Sequence, residues 1–586
     1  MDSQSERKLR ELRLNLAEVC LEGRVERLTA LCRNPAGDAI LTMVNSGVRH
    51  LALSKAEQAV AERCHRVLSV EHDMGRKVGA YMGLNLFSFP QSIERTFDIV
   101  DVPIPLLTTV VKLLLSVPPF FTRDGMRKRS LAHLEATVAD LHKATKVIEE
   151  PEFCEALLEG FVDGFNLTSV YGEDVSLKTL AIQRADLIRA YLKLKNLDRD
   201  VILPPRAEDD PVIRMGILCP GAASETAALR GHLLGLDRSV FHVIAFVPDE
   251  AAGPISANFG DIAAEIVALP VADIAASADA IVAEGLDILL CGANLTNTCK
   301  FPWTLLMAQR LAHLQVAMHS CPLTTGFPNV DAYINGELNE PPDAEKEYTE
   351  QLLLLPGSSN HYAFAGENPE PLPLTREQLG VPDAALLLVS GANFFKIGPD
   401  LVDAWARIME KTESAHLLLY PFNPNWTTHY PFKDGFLRFI QSEFAARGVS
   451  VDRLHVIEAQ ANRGPILSIL QVADLYLDSF PYSGAVSITD PLMAGCPPIV
   501  KEGKTARCRQ SAAMLREIGL DVLVTRSLDD YVTLATRLLN DSSLRREMTE
   551  AVLDIAEQQA FTSPLGASVG EFLARALADK LRASQP

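Results

Sequence analysis

From residue 212 onward, short apolar runs alternate with helical stretches, and that rhythm constrains the fold more than any other feature of the chain. The runs lie at 212–219, 241–246, 287–291, 315–318, 332–335 and 352–355, and again at 385–390, 416–420, 454–457, 474–477, 498–500 and 522–524. Runs this short, rich in β-branched residues and bounded by turn formers, read as parallel strands with helices on both faces. A proline-rich stretch, PEPLPL at 369–374, interrupts the rhythm and divides it into two α/β units, 212–375 and 384–586. Two such units in tandem imply a cleft between the carboxyl ends of two sheets, where open α/β folds bind ligands.

Residues 1–205 follow a different grammar. Segments 6–32, 55–64, 122–146 and 177–194 space their apolar residues as helices do, with no fixed-period repeat, so an all-helical domain without a solenoid is expected. The stretch VILPPRAEDDP at 201–211 combines prolines with an acidic cluster and reads as the linker. Segment 102–121 is apolar enough to suggest a membrane span. Its prolines leave only 106–117 uninterrupted, short of the ~20 residues a spanning helix needs, and Lys112 sits inside it. A buried helix is expected there, and no transmembrane segment.

At 586 residues the chain is too long for one core. A formal charge of −20 argues against broad nucleic-acid binding, which needs a cationic face. Ten cysteines include no CxxC pair, which suggests neither a zinc site nor a disulfide framework. The first residues, MDSQSERKLRELRLNLAEV, lack the order of an export signal, so a cytoplasmic protein with reduced thiols is expected.

The chemistry concentrates at 474–509, DLYLDSFPYSGAVSITDPLMAGCPPIVKEGKTARCR. A strand ends in a turn containing Ser483 and Gly484, and a helix with Ser487, Thr489 and Asp490 in its opening turns is expected next. Free N–H groups and the macrodipole at such a helix start favour an anion. Lys501, Lys504, Arg507 and Arg509 follow and add cations. Asp490 suits either the helix dipole or the two hydroxyls of a vicinal diol. Lys396, in SGANFFKI at 390–397, lies just past a strand's carboxyl end, where it can neutralise a phosphate. Glu225 reads as a first-turn acid of its helix.

The order of these motifs resembles glycosyltransferase family 41, which includes the eukaryotic O-GlcNAc transferase and bacterial cytoplasmic protein N-glucosyltransferases. The resemblance rests on GANFFKI at 391–397, QVADLYLD at 471–478, ITD at 488–490 with Ala494-Gly495, and GKTARCR at 503–509. The first α/β unit joins in with GLDILL at 285–290, LAHLQVAMHSCPLTTG at 311–326, DAYIN at 331–335 and EKEYTEQL at 345–352. What it implies is a GT-B fold of two Rossmann-like domains behind an all-helical N-terminal domain. It implies further an inverting, metal-independent transfer of a hexose, glucose first, from a UDP-sugar to Asn or Ser/Thr of a protein or peptide, with no cofactor.

In that scheme Lys396 contacts the nucleotide phosphates, Asp490 the ribose, and Ser487 lies in the segment around the diphosphate with Ser483, Gly484 and Arg509. Arg463 falls near a family lysine beside the uracil, in a segment with no aromatic ring. Cys321, Pro322, Thr324 and Thr325 form the acceptor-side loop, with Cys321 standing where relatives carry an aromatic or histidine. His319, two residues earlier, is the candidate for a catalytic histidine, its ordinary pKa suiting work near neutrality. A histidine that O-GlcNAc transferase uses early in the first domain has no clear counterpart in GAASET at 221–226, where Glu225 could take that position, a first-turn helix acid being the favoured reading. The non-repeating helical domain resembles the bacterial enzymes more than O-GlcNAc transferase. Two other readings use the same features: transfer to a small-molecule, glycan or lipid acceptor, and a non-catalytic nucleotide-sugar-binding scaffold.

Overall fold

The computed structural model describes residues 3–33, 37–199, 201–203, 206, 211–364, 371–422, 432–460, 462–558 and 563–583. Thirteen strands form two all-parallel sheets. The first contains β1 (Ile213–Leu218), β2 (Phe241–Pro248), β3 (Glu265–Leu269), β4 (Ile288–Cys291), β5 (Leu314–Met318), β6 (Ala332–Gly336) and β7 (Gln351–Leu355), in the order β3-β2-β1-β4-β5-β6-β7. The second contains β8 (Leu386–Ser390), β9 (Ala415–Leu419), β10 (Leu454–Val456), β11 (Leu475–Leu477), β12 (Pro498–Lys501) and β13 (Val524–Thr525), in the order β10-β9-β8-β11-β12-β13. Strand order reverses between β1 and β4 in one sheet and between β8 and β11 in the other. At such switch points adjacent loops diverge to opposite faces and leave a crevice.

Eleven of the twelve expected runs coincide closely with strands. The last does not: Asp521–Leu523 is a 3-10 turn, and β13 starts only at Val524. The sequence reading also missed β3, an edge strand whose EIVAL side chains are mostly exposed or half-buried and so lack the continuous apolar signature of a central strand.

The helical segment precedes both sheets. Residues 6–32, expected as one helix, are two, Ser3–Glu22 and Val25–Cys32. The break falls at Gly23, whose φ of +65° is left-handed and whose hydrogen leaves room for Arg76; a Cβ there would lie 2.4 Å from the Arg76 Cα. The apolar stretch at 102–121 contains the helix Ile104–Leu114, with seven buried residues. It packs on Pro151–Gly164 closely enough that a Cβ at Gly160 would meet Val111 Cβ at 2.8 Å. Among the described residues no helix is long and apolar enough to cross a membrane. The expected linker at 201–211 and the connector at 369–374 lie partly outside the described residues; Arg206, inside them, pairs with Asp287 at 2.9 Å.

Candidate functional site

The loops that leave the two switch points face one another with the helical segment beside them. In the second sheet Ser390 Oγ, at the end of β8, donates to the Leu477 carbonyl at the end of β11, 2.7 Å away. The loops beyond are joined again by Lys396, whose Nζ donates to the Ser483 carbonyl at 3.0 Å and lies 4.1 Å from the Tyr482 ring centroid. Burial pushes Lys396 down to about 8, against the opposing pull of Asp478. Lys396 is therefore a cation at neutral pH, with no carboxylate hydrogen-bonded to its Nζ among the described residues.

Asp478 shapes the turn below it. Gly484 N–H donates to both carboxylate oxygens of Asp478 at 3.1 Å, and Ser511 Oγ donates to the Gly484 carbonyl at 2.7 Å. A Cβ at Gly484 would stand 2.7 Å from Asp478 Oδ1 and 2.8 Å from Ser487 Oγ, so only glycine fits. Burial raises the Asp478 pKa, offset by Ser511, Lys396 and the Gly484 and Ser479 amides. Sequence reasoning gave Asp478 and Tyr482 no role, although both lie inside the motif that drew attention. The signal was the Asp at a strand's carboxyl end six residues before a glycine.

The expected helix start is shorter than read. Ser487 lies in a 3-10 turn, Val486–Ile488, and the helix proper is only Thr489–Ala494. The carboxylate of Asp478, not an open cradle, takes the Gly484 N–H. Asp490 is buried and held by Arg463, with Nε at 2.8 Å and Nη2 at 2.5 Å from its Oδ1. Burial raises the Asp490 pKa and the Arg463 charge opposes the rise. Phe364 lies under the Arg463 guanidinium, 3.6 Å from its ring centroid, so this corner does carry an aromatic ring, drawn from the segment after β7.

The basic run after β12 is mostly committed elsewhere, which corrects the expectation of a phosphate cluster. Arg507 donates to the carbonyls of Tyr171, Glu173 and Val175 at 2.6, 2.5 and 2.6 Å. Arg509 pairs with Glu502 at 3.0 Å, a carboxylate shared with Arg516 at 2.5 Å. Lys501 lies 5.1 Å from the Phe480 ring centroid. The backbone N–H groups of Lys504 and Thr505 are taken by Asp174 at 2.7 and 2.8 Å. The partners of Arg507 and of the 504–505 amides lie more than 300 residues away, where no local pattern could reveal them, whereas Glu502 stands within the same motif as Arg509.

Across the cleft, His319, Cys321 and Pro322 after β5 and Asn335 at the end of β6 line a small polar pocket closed on its far side by Ala506, Arg507 and Gln510. His319 stacks on His232 with ring centroids 4.8 Å apart, and its Nδ1 is buried without a hydrogen bond. Burial, then His232 and His361, push its pKa well below the ordinary value, so the expectation of a histidine titrating near neutrality fails. Cys321 Sγ accepts from Leu295 N–H at 3.4 Å, and burial pushes the thiol up to about 12. Thr324 and Thr325 are buried, and their hydroxyls donate to Glu350, each at 2.5 Å. They shape the loop through Glu350 and do not present free hydroxyls to the cleft. Among the described residues no group of three or more His, Cys, Asp or Glu could hold a metal ion.

The helical segment touches both switch-point regions. Arg184 Nη2 donates to the carbonyls of Leu295 and Thr298, each at 2.7 Å, and Arg127 Nη2 to that of Lys396 at 3.3 Å. Between them a groove with a cavity of about 930 Å³ opens, lined by Arg49, Lys112, Asp163 and Lys300 and reaching Phe394 and Phe395 beside Lys396.

Two facing doubly wound sheets with a cleft at their carboxyl ends define a GT-B protein. Residues 358–565 match the model of Glycosyl transferase family 41, and over that stretch the resemblance read from the motifs is borne out. It is 28% identical over 251 residues to a probable UDP-N-acetylglucosamine–peptide N-acetylglucosaminyltransferase SPINDLY of Hordeum vulgare, 42% of this chain and 25% of that protein. The corresponding protein of Eustoma exaltatum subsp. russellianum is 29% identical over 251 residues, 42% of this chain and 26% of its own length. The chain thus spans about a quarter of the length of these curated relatives. A mutant O-GlcNAc transferase of Thermobaculum terrenum superposes over 93% of this chain and 98% of its own with a TM-score of 0.55 at 19% identity, a likeness of fold.

Proposed function

We propose that the chain is an inverting glycosyltransferase that moves a hexose from a UDP-sugar to a side chain of a protein acceptor, without a metal. The observation that carries this is Lys396: a buried ammonium at the β8/β11 switch point, bound only to a backbone carbonyl, aimed where a departing diphosphate develops charge. Asp490 and Arg463, at the far end of the same crevice, suit a ribose and the base above it, with Ser487 between. Cys321 and Pro322 of the first sheet share a small pocket with Ala506, Arg507 and Gln510 of the second.

The names of the plant relatives support N-acetylglucosamine as the sugar and peptide as the acceptor over the glucose first expected. The groove of about 930 Å³ that ends at Phe394 and Phe395, next to Lys396 in the chain, is a place where an acceptor segment could lie. The linkage, to Asn or to Ser/Thr, divides on the acceptor and not on the donor chemistry. Ten free cysteines support a reducing, cytoplasmic setting.

The test is to incubate the purified protein with UDP-N-acetylglucosamine and UDP-glucose, each with Asn-X-Thr and Ser/Thr-only peptides, with and without EDTA. Mass spectrometry of the peptides and release of UDP are read together. Transfer that survives EDTA and is lost in Lys396→Ala is the expected result; transfer unaffected by that substitution overturns the assignment.

A further inference from the structure

We propose, resting on the function above, that Glu225 is the catalytic base, taking the proton of the acceptor's hydroxyl as its oxygen attacks the sugar. Glu225 occupies in the first sheet the place that Lys396 occupies in the second. It sits in the first turn of Ala223–Leu233, just past the carboxyl end of β1, and accepts the Asn294 N–H at 3.3 Å from the loop that leaves β4. It therefore bridges the loops at the β1/β4 switch point, as Lys396 bridges those at β8/β11. Tyr171, whose pKa the Glu225 charge helps to raise, packs against Tyr482 with ring centroids 4.8 Å apart, and Lys396 Nζ lies 4.1 Å from the Tyr482 ring centroid. Base and leaving-group cation thus stand on opposite walls of one cleft, the arrangement an in-line displacement requires.

The surroundings leave the carboxylate basic. Its neighbours are Tyr171 from the helical segment, Cys291 from β4 and Cys321 from the β5 loop. Burial raises all three above their ordinary values, so each is neutral near pH 7. No basic side chain pairs with Glu225 among the described residues. Burial accordingly pushes Glu225 up to about 7, with the Asn294 N–H opposing. In the step itself the acceptor O–H bond breaks, its proton passes to Glu225, and the oxygen bonds to the anomeric carbon. The bond from that carbon to the diphosphate breaks with its electron pair leaving on UDP beside Lys396.

The experiment compares wild type, Glu225→Gln and Glu225→Asp in peptide transfer from pH 5.5 to 9, with UDP affinity by calorimetry as the control. Wild type is expected to lose rate tenfold per pH unit below about 7, where the carboxyl is protonated. Glu225→Gln should lower kcat by roughly a hundredfold or more, abolish the acid limb and leave UDP affinity within about twofold. Glu225→Asp, which keeps the carboxylate if glutamine fails to fold, should retain the limb and lose roughly tenfold in kcat through its shorter reach. Transfer by Glu225→Gln at near wild-type kcat, an acid limb that persists in it, or Glu225→Asp at wild-type kcat overturns the role of Glu225 and leaves the proposed function standing. A wild type that binds UDP and transfers nothing overturns the function, and this inference with it.

Discussion

Arg463 grips Asp490 through two nitrogens, at 2.8 and 2.5 Å, at the start of the helix Thr489–Ala494. Burial raises the Asp490 pKa and the Arg463 charge opposes that rise. Ribose hydroxyls arriving there find an acceptor already oriented by Arg463. Asp490→Asn keeps the shape and removes the charge, so UDP should bind at least about tenfold more weakly, a difference of ~1.4 kcal/mol, as read by calorimetry. Unchanged affinity would remove Asp490 from the donor site.

Lys396 makes donor binding depend on alkaline pH. With its pKa lowered to about 8, the ammonium is present at pH 7 and is lost as pH rises through 8. UDP affinity should fall between pH 7 and 9, and Lys396→Arg, which stays charged, should bind more evenly across that range. Stability should move the other way. A lysine depressed in the folded state binds fewer protons there than in the unfolded chain, so folding stability rises with pH from about 8 toward the unfolded value near 10.4. Lys396→Met should therefore raise Tm at pH 7 while removing activity.

Gly326 fixes the acceptor-side loop against the helical segment. Its φ is +75°, and a Cβ would lie 2.3 Å from the Ala181 carbonyl oxygen, a backbone atom with nowhere to retreat. Gly326→Ala combines left-handed strain with that clash, and a loss of about 2–4 kcal/mol is expected. Chemical denaturation gives the number.

Gly484→Ala tests the turn under Lys396. The added methyl would meet the Asp478 carboxylate and Ser487 hydroxyl, both at the crevice and both needed in place. The expected outcome is a loss of turnover of more than about tenfold with a fold that still melts cooperatively. A near-normal rate would show that the turn can shift without cost to chemistry.

What the sequence made legible divides along physical lines. Central strands such as β4 and β5 are apolar throughout because both faces are covered, and they stood out. Edge strand β3 is not, and it passed unseen. Lys396, Ser483 and Asp490 were singled out because chain position past a strand's carboxyl end is itself information. The fate of Arg507 and Arg509 was not, since their partners are set by packing between segments more than 300 residues apart or by a neighbouring strand loop. For Glu225 a first-turn helix acid was the favoured of two readings, because burial, the property that raises its pKa, has no local sequence signature.

The hydrogen bonds of Arg507 to Tyr171, Glu173 and Val175, and of Asp174 to Lys504 and Thr505, interlock the two ends of the chain in both directions. Each side supplies charge to the other's backbone. Excising the helical segment to isolate the two sheets would strip the N–H groups of Lys504 and Thr505 and the Arg507 guanidinium of their partners. The smallest piece able to do chemistry therefore includes the helices: in this architecture they serve as a wall of the reaction vessel.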